Sequence, residues 1–366
     1  MERPWYGRFN WLLAGSTVAL SLFGVLVIHS ANLHNPDASG EWRKQLAYIA
    51  IGVGVMAWFA WVDYRRWQRW ALYLYAANLA LLGVVMASGH SAFGAQRWIS
   101  LGPLGTFQPS EPAKLILAIV IASLLAGSVV SGPRDFVLTV LAVAVPAALI
   151  LKQPDLGTTL VILAMLSAQL FFGLSKTSYF GIYAVLSSVA AAFVIGTNVV
   201  LKPFQRTRLL IFLHPNADPQ GAGWNLNQSK IAVGSGELFG KGLNHGTQTQ
   251  LDFVPEHSRD FIFTVVGEEL GYLGSLGLVC AYALVLFGAL RSVFAARDRF
   301  ALLLSVGIVT MLAFHVTVNI GMTVGIMPIT GIPLPFMSYG GSAIITDFAA
   351  IGLLLNIYMQ RDKLVF

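Results

Sequence analysis

Long blocks of apolar residues, separated by short polar segments, run along the whole chain. A helix needs about 20 mainly apolar residues to cross a bilayer, and ten blocks approach this length. They lie at about 11–30, 45–63, 70–88, 112–128, 135–151, 158–174, 179–200, 261–290, 299–322 and 343–359. The pattern predicts an all-α polytopic membrane protein with ten transmembrane helices. It also predicts a single membrane domain over residues 1–366, with a long outer loop at about 201–260 between the seventh and eighth helices.

The composition agrees with a membrane protein. Of the 366 residues, 56% are hydrophobic and only 11% are charged, whereas soluble domains carry roughly a quarter charged residues. These values exclude a disordered chain and an ordinary cytosolic enzyme. The net charge is +6, but no run of five or more basic residues is present, so we expect no nucleic-acid partner.

The basic residues predict the orientation of the chain, because the segments between spans on the cytoplasmic side are usually richer in Lys and Arg. With a cytoplasmic N-terminus, twelve fall on the inner side and four in the short outer loops. Both termini are therefore expected to be cytoplasmic. The inner residues are Arg3, Arg8, Arg65, Arg66, Arg69, Arg134, Lys176, Arg291, Arg297, Arg299, Arg361 and Lys363, and the outer ones are Arg43, Lys44, Arg97 and Lys152.

This orientation places the unusual polar sequence on the outer side of the membrane. The segments concerned are GAQRWISLGPLGTFQPSEPAK (94–114), KQPDLGTT (152–159), the long loop and ITGIPLPFMSYGGS (329–342). The inner segments are short and basic. We therefore expect the chemistry of this protein at or just below the outer surface.

Acidic residues near the apolar blocks are the candidates for chemistry, since an ionisable group inside a span usually faces a partner or a watered cavity. Glu111 and Lys114 stand three apart at the start of the fourth span and would share a helix face. They could line an outer cavity, or they could form an ion pair that closes the helix N-terminus. Asp155 and Asp347 are further candidates with no assigned role.

Asp260 stands where the long loop enters the eighth span. It could cap that helix, or it could be a general base whose pKa is tuned by the charged residues just before it. Glu268 and Glu269 follow in the same span. Adjacent carboxylates point in different directions, so we favour a structural role for this pair.

The outer segments also supply cations among many glycines: Arg97, Arg208, Lys230 and Lys241. Cations together with exposed backbone amides suit a pyrophosphate or another anionic headgroup, although they could equally anchor the loop against lipid. The segment NLNQSKIAVGSG predicts an amphipathic helix on the membrane surface. The sequence has no Walker-type loop, no metal-ligand spacing of His and Cys, and no hydrolase elbow.

Five strings in a fixed order resemble the SEDS family (shape, elongation, division and sporulation), which includes RodA and FtsW. They are the 94–114 and 152–159 segments, QSKIAVGSGELFGKGLNHGTQ, DFIFTVVGEELG and NIGMTVGIMPITGIPLPFMSYGGS. The ten-span layout fits this family over the whole chain. GTQTQLDFVPE is more similar to the RodA branch than to the FtsW branch.

The resemblance implies a peptidoglycan glycosyltransferase of the bacterial cytoplasmic membrane. Such an enzyme polymerises lipid II into glycan strands at the outer face during cell elongation and releases undecaprenyl pyrophosphate. Its partner is a class B penicillin-binding protein, which crosslinks the strands. Asp260 matches the essential aspartate of the family, and Glu111 with Lys114 matches its polar pair. The family motif places a histidine one position later, so the roles of His257 and Arg259 are left open.

The charged residues of the outer segments and the family resemblance together give a specific hypothesis. Asp260 is the general base, and the residues expected to bind the substrate and its pyrophosphate are Lys114, Glu111, Arg97, Arg208, Lys230 and Lys241. No cofactor is assigned, and a divalent cation such as Mg²⁺ is the one candidate assistant, without assigned ligands. The partners expected are lipid II, the nascent glycan strand, the penicillin-binding protein and membrane lipid.

Two alternatives remain, a lipid II flippase or other transporter and a non-catalytic scaffold for cell-wall enzymes. Intramembrane charges and helices broken by Gly or Pro also occur in transporters. The polar motifs, however, cluster on one face rather than along a path through the bilayer. No internal repeat is visible either, and both points favour the glycosyltransferase.

Overall fold

The computed structural model describes residues 9–36, 38–88, 90–92, 95–100, 102, 106–127, 132–174, 176–197, 203–213 and 222–361. Some sequence-based expectations fall outside these residues. They concern Arg3, Arg8 and Lys363 of the charge count and residues 94, 101 and 103–105 of the first outer motif.

Helices dominate the described part of the chain. They are α1 Trp11–Ala31, α2 Glu41–Trp61, α3 Tyr64–Ser88, α4 Ser110–Ala126, α5 Pro133–Lys152, α6 Leu156–Gly173, α7 Thr177–Gly196, α8 Pro203–Leu213, α9 Ala222–Ser235, α10 Thr247–Gln250, α11 Ile262–Phe294, α12 Arg299–Val324 and α13 Gly341–Met359. Apolar runs of this length form helices in lipid because a helix satisfies its own backbone hydrogen bonds. The all-α prediction is confirmed.

Within the described residues, eight helices are long and apolar enough to cross a membrane: α1, α2, α3, α5, α6, α11, α12 and α13. The two other predicted spans correspond to shorter helical segments. One is α4, with 17 residues, and the other is the apolar stretch Ser178–Val194 of α7. The count of ten transmembrane helices therefore stays a prediction.

Contacts near the helix ends agree with the common direction predicted for the second, fourth and tenth spans. At one end of the bundle, Asn356 Nδ2 of α13 donates to the carbonyl of Ala60 in α2 at 2.7 Å. At the opposite end, the Gln108 N–H just before α4 donates to Ser342 Oγ in α13 at 3.0 Å. We call this second end the outer end, because the predicted outer segments lie there.

The interior of the bundle is formed mainly by α4, α12 and α13. Nearly every residue of α13 from Ile344 to Tyr358 is buried. In contrast, large apolar side chains at the periphery are exposed, for example Trp61 at 85% and Phe294 at 86%. Helices that are apolar both inside and outside suit a lipid surrounding.

A small antiparallel sheet lies at the outer end, where the sequence predicted no strands. Strands β1 His90–Ala92, β2 Ala95–Ser100 and β3 Thr106–Phe107 pair in the order β1-β2-β3. The segment between α3 and α4 is too short and too polar for a further span, and pairing of short strands satisfies its backbone groups. This sheet positions Arg97, on β2.

The predicted eighth span is broken at Gly271, which has a φ of 65°. The segment 237–242 closes the break, since the N–H of Lys241 donates to Glu268 O at 3.0 Å and the N–H of Tyr272 donates to Glu237 O at 2.8 Å. A Cβ on Gly271 would collide with the backbone of Gly240. Helix α11 therefore consists of an outer half, Ile262–Leu270, and a longer inner half.

The long outer loop is largely helical, with α8, α9 and α10. Helix α9 contains the predicted amphipathic segment, and Leu226, Ser229 and Ala232 form its buried side. This side packs against protein, since α9 contacts α11 and α12 and Ser229 Oγ donates to the carbonyl of Thr323 at 2.7 Å. The expected helix is present, and its buried face is directed to the bundle.

Candidate active site

Asp260 lies directly before the outer half of α11. The N-cap residue of this helix is Phe261, and no side chain caps it, so Asp260 does not act as the cap that the sequence allowed. Its backbone carbonyl accepts a hydrogen bond from Asn319 Nδ2 on α12 at 2.8 Å. The same Nδ2 donates to the carbonyl of Ile332 at 2.7 Å, which joins Asp260 to the 329–342 segment.

Gly331 brings the Asp260 carboxylate close to a guanidinium group. An added Cβ at this position would lie 3.2 Å from Asp260 Oδ2 and 3.7 Å from Arg208 Nη1. Gly331 also has a φ of 71°, a backbone conformation that favours glycine. The Asp260 carboxylate and the Arg208 guanidinium therefore both lie close to Gly331, which has no side chain to separate them.

The surroundings of Asp260 raise its pKa to about 6. Burial among protein atoms is the main cause and the negative charge of Glu256 adds to it, while Arg208, Arg259 and Arg97 act in the opposite direction. Burial also lowers the pKa of Arg208. A carboxyl group whose pKa lies near the working pH is suited to accept a proton during a reaction.

Arg97 links the first outer motif to the second. Its Nε donates to the carbonyl of Gln153 at 2.8 Å, and a further N–H donates to the carbonyl of Pro154. Its Nη1 lies 3.9 Å from Asp155 Oδ1. Asp155 in turn caps α6 by accepting from the Thr158 N–H at 3.2 Å, so its carboxylate has a structural task.

Glu111 and Lys114 lie inside the bundle. Lys114 Nζ is 2.9 Å from Glu111 Oε2 and 2.9 Å from His315 Nε2. Lys114 is only 1% exposed and Glu111 4%. Asp347 on α13 is within electrostatic reach of both. The structure thus places this predicted pair in an interior polar cluster, whereas Arg208 and Arg97 are within electrostatic reach of Asp260.

Lys230 and Lys241 also make contacts within the protein. Lys241 Nζ forms an ion pair with Glu268 Oε1 at 2.7 Å. Lys230 extends over Gly325, the residue that ends α12. Glu269 accepts a hydrogen bond from Ser30 Oγ on α1. The contacts of the two glutamates are those of structural residues.

The altered histidine motif is explained by its contacts. His257 is buried, and its Nε2 lies 3.2 Å from Asn32 Oδ1 at the end of α1. Arg259 forms an ion pair with Glu256 at 3.4 Å and lies over the ring of Tyr339 at 5.7 Å from its centroid. His257 therefore fixes the loop to the bundle, and Arg259 is the one that contributes charge near Asp260.

Sequence reasoning missed His315 and Asn319, which contact the interior pair and Asp260 respectively. A signal was present, because these two polar residues stand four apart in the otherwise apolar α12 and would share one face. Both residues are neutral, so they do not stand out among the rare charges of the chain.

Comparison with known proteins places this architecture in a family. A family model described as a cell cycle protein, FtsW/RodA/SpoVE, matches residues 10–363. The peptidoglycan glycosyltransferase MrdB of Escherichia coli is 39% identical over 348 residues, which are 95% of this chain and 92% of MrdB.

Solved structures show the same similarity. The crystal structure of the rod shape determining protein RodA of Thermus thermophilus has a TM-score of 0.71 and 29% identity, and the match covers 97% of this chain and 98% of that one. A chain of a peptidoglycan synthase complex that coordinates polymerization and crosslinking has a TM-score of 0.81 and 30% identity, covering 97% and 99%.

These matches extend over nearly the whole chain and include the polar segments around Asp260 as well as the apolar helices. They agree with the apolar surface in describing a multi-pass protein of the bacterial inner membrane. The chain belongs to the FtsW/RodA/SpoVE family, the SEDS family that its outer motifs resemble.

Proposed function

We propose that this protein is a peptidoglycan glycosyltransferase that polymerises lipid II at the outer face of the membrane. One observation carries the proposal: a partly buried carboxyl group, Asp260, with a raised pKa, faces Arg208 and Arg97 at the outer end of an apolar bundle. The activity in the name of MrdB, which is 39% identical to this chain, supports it.

The reaction requires removal of a proton from the acceptor hydroxyl and stabilisation of the leaving pyrophosphate. The carboxylate of Asp260 takes the proton as the hydroxyl oxygen attacks the anomeric carbon. The bond from that carbon to the pyrophosphate oxygen then breaks, and Arg208 and Arg97 stabilise the negative charge that develops there. Burial serves both steps, since it raises the pKa of the base and strengthens the attraction of the cations.

An apolar cavity provides room for a lipid tail. It measures roughly 350 Å³ and is lined by α2, α3, β3, α4 and α13, with Phe59, Trp67 and Phe107 among its walls. Tyr48 lies at this cavity, and its ring is 6.4 Å from that of Tyr339, over which Arg259 packs. A prenyl chain in the cavity would thus have its headgroup near the segment that carries Asp260.

Further parts of the proposal concern orientation and partners. The positive-inside pattern supports cytoplasmic termini and an active site that faces outward. The match to a complex that coordinates polymerization and crosslinking supports a crosslinking partner, a class B penicillin-binding protein. The match to the rod shape determining protein RodA supports a role in elongation. For Lys114, Glu111 and Lys241, the observed ion pairs favour support of the fold over contact with substrate. For Lys230, packing over Gly325 favours the same role.

A divalent cation shared with the substrate is the candidate assistant of the reaction. The described residues contain no group of three or more His, Cys, Asp or Glu side chains arranged for a metal ion. Mg²⁺ often binds one or two carboxylates together with substrate phosphates, and Asp260 and Glu256 are carboxylates near the proposed pyrophosphate site. Titration of the assay with EDTA and then Mg²⁺ tests this contribution.

The decisive experiment is polymerisation of fluorescent lipid II by the purified full-length chain in detergent, alone and with the penicillin-binding protein of the same organism. Glycan strands on a gel are the expected product. The Asp260→Asn variant is expected to lose roughly 10²- to 10⁴-fold in turnover. Asp252→Asn is the matched control, because Asp252 is an exposed carboxylate of the same loop, and it should polymerise at the wild-type rate.

Each alternative has a distinct outcome. Full polymerisation by Asp260→Asn would contradict the assignment of the general base. Failure of the wild-type chain to form strands under every partner and cation condition would favour the flippase or the scaffold, and lipid II transport in proteoliposomes would then separate those two.

A further inference from the structure

Asn319 holds two distant segments of the chain with one side chain. It lies in α12, is completely buried, and donates both hydrogens of its Nδ2 to backbone carbonyls, at 2.8 Å to Asp260 and at 2.7 Å to Ile332. A hydrogen bond to a backbone carbonyl fixes the main chain itself. The position of both segments relative to α12 therefore depends on this amide.

The segment fixed through Ile332 contains Gly331, the residue next to it. An added Cβ on Gly331 would lie 3.2 Å from Asp260 Oδ2 and 3.7 Å from Arg208 Nη1. The two hydrogen bonds of Asn319 thus set the backbone of Asp260 on one side and the backbone that packs against its carboxylate on the other.

We propose that Asn319 is a positioning residue, which sets the distance between the Asp260 carboxylate and the cations that face it. The inference rests on the proposed function of Asp260 as general base. Asn319 acts through backbone hydrogen bonds and needs no contact with the substrate. Its amide is neutral, so its removal changes geometry while the charges that face Asp260 remain: Arg208 of α8, Arg97 of β2, and Glu256 and Arg259 of the preceding loop.

The test compares two buried asparagines. Asn356 in α13 bridges the chain in the same manner at the inner end, since it donates to Ala60 O at 2.7 Å and accepts from the Tyr64 N–H at 3.0 Å. Asn319→Ala and Asn356→Ala both remove two hydrogen bonds to backbone groups, and Asn356→Ala also removes the acceptor of Gln360 Nε2 at 2.9 Å, so the loss of Tm in Asn356→Ala is expected to be at least as large. Only Asn319→Ala is expected to lower kcat for lipid II polymerisation, by about 10- to 100-fold, with KM nearly unchanged.

Two further variants separate positioning from a general loss of structure. Gly331→Ala disturbs the same geometry from the opposite side and should also lower kcat, even if Asn319→Ala fails to fold. Asn319→Asp removes the donors and adds a negative charge near Asp260, which raises the pKa of the base. The acid limb of its rate profile should therefore move to higher pH, which checks that position 319 lies close enough to Asp260 to act on it, while the kcat of Asn319→Ala compared with Asn356→Ala decides the positioning role.

The outcomes distinguish this inference from the proposed function. If Asp260→Asn is inactive while Asn319→Ala and Gly331→Ala retain wild-type kcat, the positioning role is wrong and the general base stands. Equal losses of kcat in Asn319→Ala and Asn356→Ala would also overturn it, in favour of a structural role. Full activity of Asp260→Asn would instead contradict the role of Asp260 as general base, on which the inference rests.

Discussion

Asp260 and Glu268 are two acids at opposite ends of the outer half of α11, and the structure treats them very differently. The Glu268 carboxylate is fully buried and accepts hydrogen bonds from the Gln248 N–H at 2.8 Å and from Thr249 Oγ1 at 2.6 Å, besides its ion pair with Lys241. Asp260 is partly exposed, faces charged side chains, and has a raised pKa.

The difference shows what makes an acid available for chemistry in an apolar protein. Hydrogen bonds and an ion pair stabilise the ionised form of Glu268 and direct its lone pairs to the loop 241–249. The environment of Asp260 instead raises its pKa to about 6 and leaves the side chain partly exposed. Two carboxylates in one sequence motif can therefore differ in role because of their neighbours, and variants of each can test this contrast.

The largest expected effect on stability comes from Glu268→Ala. It leaves the buried donors of residues 247–249 without their acceptor, and each such donor typically costs about 1–3 kcal/mol, while Lys241, about 26% exposed, can turn to solvent. We expect a lower Tm for purified protein and near-wild-type turnover for the fraction that remains folded. A variant of unchanged Tm that has lost polymerisation would reverse the roles of the two acids.

The second prediction concerns pH. Asp260 must be ionised to accept a proton, and its pKa is about 6, so kcat should be constant above roughly pH 7 and fall about tenfold per pH unit below 6. The measurement is the rate of lipid II polymerisation between pH 4.5 and 8, with Tm recorded at each pH to show that the protein stays folded. A rate that stays constant down to pH 4.5 would contradict an ionised Asp260 as base.

Asp260→Asn should stabilise the protein while it lowers turnover. Because the pKa of Asp260 is raised from 3.8 to about 6, ionisation opposes folding at neutral pH, and a neutral amide removes that penalty. The expected gain is on the order of 1–2 kcal/mol at pH 7.5. It should disappear near pH 4, where the wild-type carboxyl group is protonated in the folded state. Melting curves at both pH values measure this, and a loss of Tm at pH 7.5 would show that the carboxylate stabilises the fold.

Much of the fold follows from the sequence because length and apolar character alone determine a membrane helix. The spans near residues 11–30 and 343–359 closely match α1 and α13. The break in α11 could not be predicted in this way. It depends on a close approach of Gly240 to Gly271 and on hydrogen bonds across about 30 residues of sequence, which local apolar character does not record.

The candidate site was partly predictable for a related reason. Asp260, Arg97 and Arg208 were selected as rare charges in outer segments, and the structure brings them together. Charge alone could not separate them from Lys114, which pairs with Glu111 and His315 in the interior. Whether a charged residue lies in the interior or near Asp260 depends on which helix faces pack together. A single sequence does not determine that packing.

Arg259 gives the smallest expected effect, a shift of the pH profile, and it tests the contrast between Asp260 and Glu268. It is a cation near Asp260, about 41% exposed, and it holds the pKa of that carboxyl down against burial. Arg259→Ala should therefore move the acid limb of the rate profile to higher pH, by less than about 0.7 unit, since exposed charges contribute at most about 1 kcal/mol. Lys241→Ala is the control, because Lys241 pairs with Glu268 and its removal should leave the limb in place. If both variants moved the limb equally, the two carboxylates would share one electrostatic environment, and the separation between a structural and a reactive acid would be lost.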